Sequence, residues 1–113
     1  ACPSLVSFIE NGEICGKDLE NDLKKYLDLA NERKIENIIL GCTHYPIIRK
    51  EIEKSLTYRA NIIDPAKVLA RDIIFDEDEN LNIEIYMTDV NEISQNMTNI
   101  IMGREIEINK VSN

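Results

Sequence analysis

The chain has 113 residues, 43% hydrophobic and 30% charged, with a formal net charge of −8 at pH 7. That is enough for one small domain with a real core, and the composition is ordinary for a globular protein. The acidic balance argues against a phosphate-reading surface, so no nucleic-acid partner is expected. No stretch approaches the ~18 apolar residues of a membrane helix or resembles a signal peptide, so no membrane partner is expected either. Ala1-Cys2-Pro3 reads as the middle of a longer sequence.

Leu5-Val6-Ser7-Phe8-Ile9-Glu10 is a short apolar run ending in a carboxylate, and Asn11-Gly12 signals a turn. Helical periodicity runs through Leu19, Leu23, Tyr26, Leu27 and Ala30, with charges on the opposite face. The apolar run Ile38-Ile39-Leu40 is too short for a helix and predicts a buried strand ending at Gly41. Pro46 opens a helical pattern in which Ile48, Ile52 and Leu56 repeat at four-residue steps. A second strand, Ala60-Asn61-Ile62-Ile63, ends at Asp64-Pro65. Pro65 suits the first position of a helix reaching Phe75, with Val68, Ile73 and Ile74 among its apolar positions. Asp76-Glu77-Asp78-Glu79 reads as a solvated loop, because it lacks the glycine and ligand spacing of a calcium site.

Leu81, Ile83, Ile85 and Met87 alternate with Asn82, Glu84 and Tyr86, a period-two strand. Asp89 with Glu92 three residues on predicts a capping box. A helix with the apolar face Ile93, Met97, Ile100 and Ile101 follows, and Gly103 is placed to end it. Ile106 and Ile108 suggest a last strand. Strands alternating with helices predict an α/β fold, a mostly parallel sheet flanked by helices.

The three cysteines fit no disulfide framework, and without C-x-x-C or a secretion signal they predict reduced thiols in the cytoplasm. A zinc site of Cys2, Cys15, Cys42 and His44 lacks short ligand pairs, so no metal is expected. Gly41-Cys42-Thr43-His44-Tyr45-Pro46 puts a thiol, a hydroxyl and the single histidine at the carboxyl end of a strand and ahead of a helix, where open α/β sheets carry their chemistry. A free cysteine has a pKa near ~8.5, so Cys42 needs help to act as a base or nucleophile. His44 and the positive end of the helix from Pro46 are the two sources in view. The residues alone leave a plainer reading open, in which Cys42 is a small packing residue and His44 a loop histidine.

The hexapeptide resembles the second cysteine motif of the bacterial glutamate racemases. Ala1-Cys2-Pro3 with Leu5-Val6 and Ile9-Glu10 resembles that family's segment upstream of the motif, which ends in a functional glutamate. Ile63-Asp64-Pro65-Ala66 resembles its Asp-containing turn, and Tyr86-Met87-Thr88-Asp89 its C-terminal strand and helix. These matches run in order over essentially the whole chain. The resemblance implies a two-domain fold with pseudo-twofold related α/β domains facing each other across the substrate. It also implies a cofactor-independent isomerase that interconverts L- and D-glutamate in the cytoplasm and supplies D-glutamate for peptidoglycan. Two bases act on opposite faces of the substrate Cα: one cysteine thiolate removes the proton and the other, as thiol, returns one. Carried over, Cys42 is the base that takes the proton from L-glutamate, and His44 is its acid–base neighbour. Thr43 binds a substrate carboxylate through its N–H and hydroxyl at a helix N-terminus. Glu10 matches the family's functional glutamate, with assistance in catalysis and a salt-bridge role both open. Cys2 and Cys15 match no catalytic position and read as packing residues, Tyr45 and Pro46 shape the turn, and Asp64 caps the Pro65 helix.

The chain also departs from the family. The family enzyme is more than twice as long. Its first half carries the other cysteine, in an Asn-Thr context, and an Asp-Ser that contacts substrate; neither occurs here. The resemblance therefore implies that residues 1–63 end the second domain and 64–113 return to the first. Its implied partners are glutamate, the N-terminal half of the enzyme and, as one option, a second copy in a homodimer. With one base of two, the chain alone is not expected to racemise. A non-catalytic amino-acid-binding or protein-interaction module is the competing reading, and His44-Tyr45-Pro46 after Cys-Thr disfavours an aspartate racemase.

Overall fold

In the computed structural model, which describes residues 2–73 and 82–112, the opening apolar run is a helix, α1 (Pro3–Glu10). Pro3 supplies the fixed φ of a first helical turn at no cost in hydrogen bonds. Leu5 and Ile9, four residues apart, share one face and are buried, Ile9 completely. After the Asn11-Gly12 turn comes α2 (Lys17–Arg33), which buries Leu19, Leu23 and Ala30 and ends at Lys34 in the left-handed conformation. Helix α1 packs on α2. Their polar sides are joined as well: the Ser4 hydroxyl donates to the Asp22 carboxylate and so accepts from the Tyr26 hydroxyl at 2.8 Å.

Strand β1 (Asn37–Ile39) leads through a 3-10 turn (Tyr45–Ile48) into α3 (Arg49–Ser55), which packs on α2 and returns the chain to β2 (Asn61–Ile63). The two strands are parallel, Asn37 opposite Asn61 and Ile39 opposite Ile63, and Leu40 extends the ladder by donating to the Ile63 carbonyl at 2.9 Å. Helix α4 (Pro65–Asp72) follows directly. The expected buried strand is covered on one face only, with Leu40 4% exposed but Ile39 65%. The expected helix at Pro46 begins as a 3-10 turn and becomes α-helical only at Arg49, with Ile48 and Ile52 buried as their spacing predicts and Leu56 just past its end. Helix α4 stops at Asp72, short of Phe75, and buries no side chain; Val68 and Ile73 are exposed. Ile74, Phe75, the acidic run 76–79 and Leu81 lie outside the described residues.

The chain divides into two compact units between Ile74 and Phe75. In the second, β3 (Ile85–Met87) and β4 (Ile108–Lys110) pair in parallel around α5 (Glu92–Met102). The capping box is present, but Asn91, not Asp89, is the cap. Its side chain accepts from Ser94 N–H at 3.0 Å, and the Ser94 hydroxyl accepts from Asn91 N–H at 2.9 Å. Gly103, φ 65°, ends the helix as expected. The expected apolar face is only partly covered: Ile93, Ile100 and Ile101 are exposed and Thr98 is buried, because two strands are too narrow to cover a helix stripe.

Each unit thus contains a β-α-β crossover, and the class is α/β, parallel strands flanked by helices, with the described residues forming two two-stranded sheets. No helix of the described residues is long and apolar enough to cross a membrane.

Candidate active site

The hexapeptide leaves the sheet at the carboxyl end of β1 and folds on itself. Tyr45 N–H donates to the Cys42 carbonyl at 3.3 Å and Ile47 N–H to the His44 carbonyl at 3.0 Å. Ile48, wholly buried, anchors the turn. The Tyr45 hydroxyl donates to the Cys2 carbonyl at 3.4 Å, which ties the start of α1 to the turn. Burial pushes the Tyr45 phenol above its usual range, and the neighbouring Cys2 thiol pushes in the same direction. The α-helix N-terminus expected behind Cys42 and Thr43 is not there. Pro46 has no N–H and the turn closes with three-residue steps, so only a short dipole lies ahead of the thiol.

Of the sequence-predicted residues, Cys42, His44 and Glu10 come together. Cys42 Sγ lies 3.6 Å from His44 Nδ1, and His44 Nε2 lies 3.3 Å from Glu10 Oε1. Glu10 is the last residue of α1, so the buried Leu5 and Ile9 that seat the helix also aim its carboxylate. A carboxylate accepts only from a protonated nitrogen, so Glu10 favours the proton on Nε2. In the neutral ring that leaves the Nδ1 lone pair facing the thiol, the arrangement in which imidazole takes a thiol proton. Thr43 is exposed beside them.

Cys42 and Thr43, but not His44 or Glu10, line a crevice of about 310 Å³ between the carboxyl ends of β1 and β2, together with Leu40, Gly41, Pro46 and the Asp64-Pro65-Ala66 turn. Asp64 does cap α4, its Oδ1 accepting from Ala66 N–H at 3.1 Å and Lys67 N–H at 3.3 Å. A larger cleft of about 780 Å³ lies at the opposite, amino ends of the strands, beside Asn37, Arg49, Arg59 and Asn61, and holds neither thiol nor imidazole. Among the described residues, no three His, Cys, Asp or Glu side chains are placed to hold a metal ion. Cys15 is exposed and is therefore not the packing residue expected; it follows a tight turn, not an element that could cover it. Sequence reading did not place Leu40 and Pro65 on the crevice wall, although two short parallel strands in succession bring their carboxyl ends together.

No protein-family model matches the chain. It is 30% identical over 114 residues to the glutamate racemase of Carboxydothermus hydrogenoformans, a match covering 95% of this chain and 43% of that protein. It is 33% identical over 110 residues to that of Aquifex aeolicus, covering 95% and 42%. Among solved structures it resembles a glutamate racemase from Francisella tularensis in complex with D-glutamate, with a TM-score of 0.74, 29% identity, and 98% of this chain and 45% of that one covered. It shares the fold of a glutamate racemase isoform from Bacillus anthracis, with a TM-score of 0.76, 24% identity, and 99% and 45% covered. The chain therefore spans less than half the length of the relatives it matches.

Proposed function

The chain belongs to the glutamate racemase family, matching the C-terminal portion of its members, and on that premise we propose that it carries one side of a two-base racemase site. Cys42 is the base on the face of L-glutamate: its thiolate takes the Cα proton, and the pair left on Cα delocalises into the carboxylate. A thiol on the far face then delivers a proton to give D-glutamate, and the reverse sequence converts D to L. His44 accepts the Cys42 thiol proton beforehand, Glu10 holds the imidazole in the accepting tautomer, and Thr43 binds a substrate carboxylate. The reaction in this reading needs no cofactor. Its setting is the cytoplasm, and its product serves peptidoglycan synthesis.

The observation that carries this reading is the contact series Cys42–His44–Glu10, whose thiol end lines the crevice. The opposed base belongs to the part of the relatives' length that this chain does not match, or to a second copy of the chain in a homodimer. With it goes the domain assignment, in which residues 1–63 belong to one racemase domain and 64–113 return to the other.

The test is deuterium incorporation at the glutamate Cα in heavy water, started separately from L- and D-glutamate. Expected is no inversion by the chain alone, inversion once the unmatched N-terminal portion of a relative is added, and loss of inversion with Cys42→Ala. Equal inversion with and without Cys42 would remove that residue from the mechanism. D-glutamate binding that never gives exchange in any combination would favour a non-catalytic binding module.

A further inference from the structure

Three of the four glycines have a backbone reason to be glycine, with φ of +77° at Gly12, +119° at Gly16 and +65° at Gly103. Gly41 has none. Its φ lies outside the left-handed region, and a Cβ built on it meets no described atom within 4 Å. An alanine there would fit both the backbone and the packing of the described residues, and it would cost less conformational entropy on folding. Gly41 nevertheless stands on the crevice wall between buried Leu40 and the Cys42 thiol. Gly41 is exposed, so the crevice wall at this position is bare backbone.

We propose that Gly41 is a clearance residue that sets how substituted a carbon can reach Cys42 Sγ, and that the cleared volume takes the α-carbon of an amino acid. This deepens the racemase reading and rests on it for the identity of the occupant. The carbon that loses a proton to Cys42 carries three other groups: an amino group, a carboxylate and a side chain. Its C–H must point at sulfur from close range, so all three have to be accommodated around the thiol. A wall of bare backbone beside the thiol leaves that room, and a methyl group on residue 41 narrows it.

The test is Gly41→Ala in the whole chain, with two alkylating probes read at Cys42 by peptide mass spectrometry. Iodoacetamide presents an unbranched methylene, and 2-bromopropionamide presents a carbon with an added methyl. Exposed Cys15 serves as internal reference for both. The expected result is a Tm unchanged or raised, an unchanged iodoacetamide rate, and a 2-bromopropionamide rate lowered several-fold relative to wild type. A lowered Tm would mean that the fold itself needs the glycine, and the proposal is overturned. It is also overturned by equal slowing of both probes, which reports altered thiol reactivity and not clearance, or by no change in either. Protection of wild-type Cys42 by D-glutamate tests the occupant separately. Missing protection with the expected probe ratio refutes the amino-acid occupant for this chain while leaving the clearance intact, and the racemase reading is tested separately by deuterium incorporation at the glutamate Cα.

Discussion

Glu10→Ala removes the carboxylate that faces His44 Nε2 at 3.3 Å and leaves the buried contacts of α1, Leu5 and Ile9, in place. Its effect follows from exposure. The Glu10 side chain is 55% exposed and that of His44 30%, so the contact belongs with solvent-screened pairs worth roughly 0.5–1 kcal/mol. At about 1.4 kcal/mol per factor of ten, the ratio of Nε2–H to Nδ1–H in the neutral ring should fall about two- to fivefold. Glu10→Gln, which keeps an acceptor but not the charge, should fall between wild type and alanine. The chain has one histidine, so two-bond proton–nitrogen correlation spectra of 15N-histidine-labelled protein give the ratio without assignment ambiguity. An identical ratio in all three proteins would refute the orienting role of Glu10. The magnitude also bounds the chemistry. If Glu10 acts only by choosing the tautomer, its removal costs the proton-transfer rate no more than about fivefold, and a much larger loss would mean that Glu10 handles a proton or substrate directly.

Asn31→Ala should lower stability by about 1–2 kcal/mol, read as a fall in the urea midpoint. Asn31 donates to the Ser55 carbonyl at 3.0 Å and accepts from Thr57 N–H at 2.8 Å, closing the end of α3 onto α2, while alanine recovers part of the loss through helix propensity. Ile48→Ala empties a fully buried position under the Cys42–His44 turn and should cost about 2–5 kcal/mol, with the Cys42–His44 contact loosened in the histidine spectra. The Asp22 carboxyl is held below the usual carboxylate range, first by the Ser4 hydroxyl, against the opposing pull of burial, and then by Lys25. A carboxyl lowered in the folded state adds stability that is present at neutral pH and lost as pH falls through its folded value. Ser4→Ala should therefore raise the Asp22 pKa in a carboxyl 13C titration, and its stability deficit should be largest at neutral pH and close in acid as the carboxyl protonates. A deficit independent of pH would refute the assignment.

What could be read in advance was local. Alternation of apolar runs with helical periods gives an α/β chain with parallel strands, because residues 38–40 and 60–63 are too short for anything but strands; that the strands form two separate pairs was not legible. The hexapeptide site follows from a strand ending at a glycine. Burial was not local: Ile38 and Ile39 look alike in sequence, and only what packs on the sheet decides that Ile39 stays exposed while Leu40 does not. The cap of α5 turned on two side chains, Asp89 and Asn91, two positions apart. Asn91 won because its backbone is extended, at φ −137° and ψ 177°, and because Ser94 stands where the reciprocal bond can form. The brace of Ser4 on Asp22 and Tyr26 spans 18 and 22 residues, a separation at which no pattern in the chain announces a contact. Glu10 is an intermediate case. Its identity came from resemblance to a family, and its proximity to His44 from the seating of a helix that the apolar run alone did not specify.

Cys42 and His44 lie on one turn, and Glu10 lies on the helix tied to that turn through Tyr45 and Cys2. All belong to the first compact unit, so their contacts are made within it. On the proposed reading, local packing holds one side of the proton transfer in place, the arrangement that lowers the reorganisation needed during reaction. A single preassembled base has a distinctive signature. It can remove and return a proton on one face, exchanging the Cα hydrogen of L-glutamate with retention, but it cannot invert the centre. Exchange with retention from L-glutamate and none from D-glutamate would identify Cys42 as a base that acts on one face only. Inversion then measures the arrival of the opposed base, and comparing the two separates what this chain's residues do from what the facing half contributes.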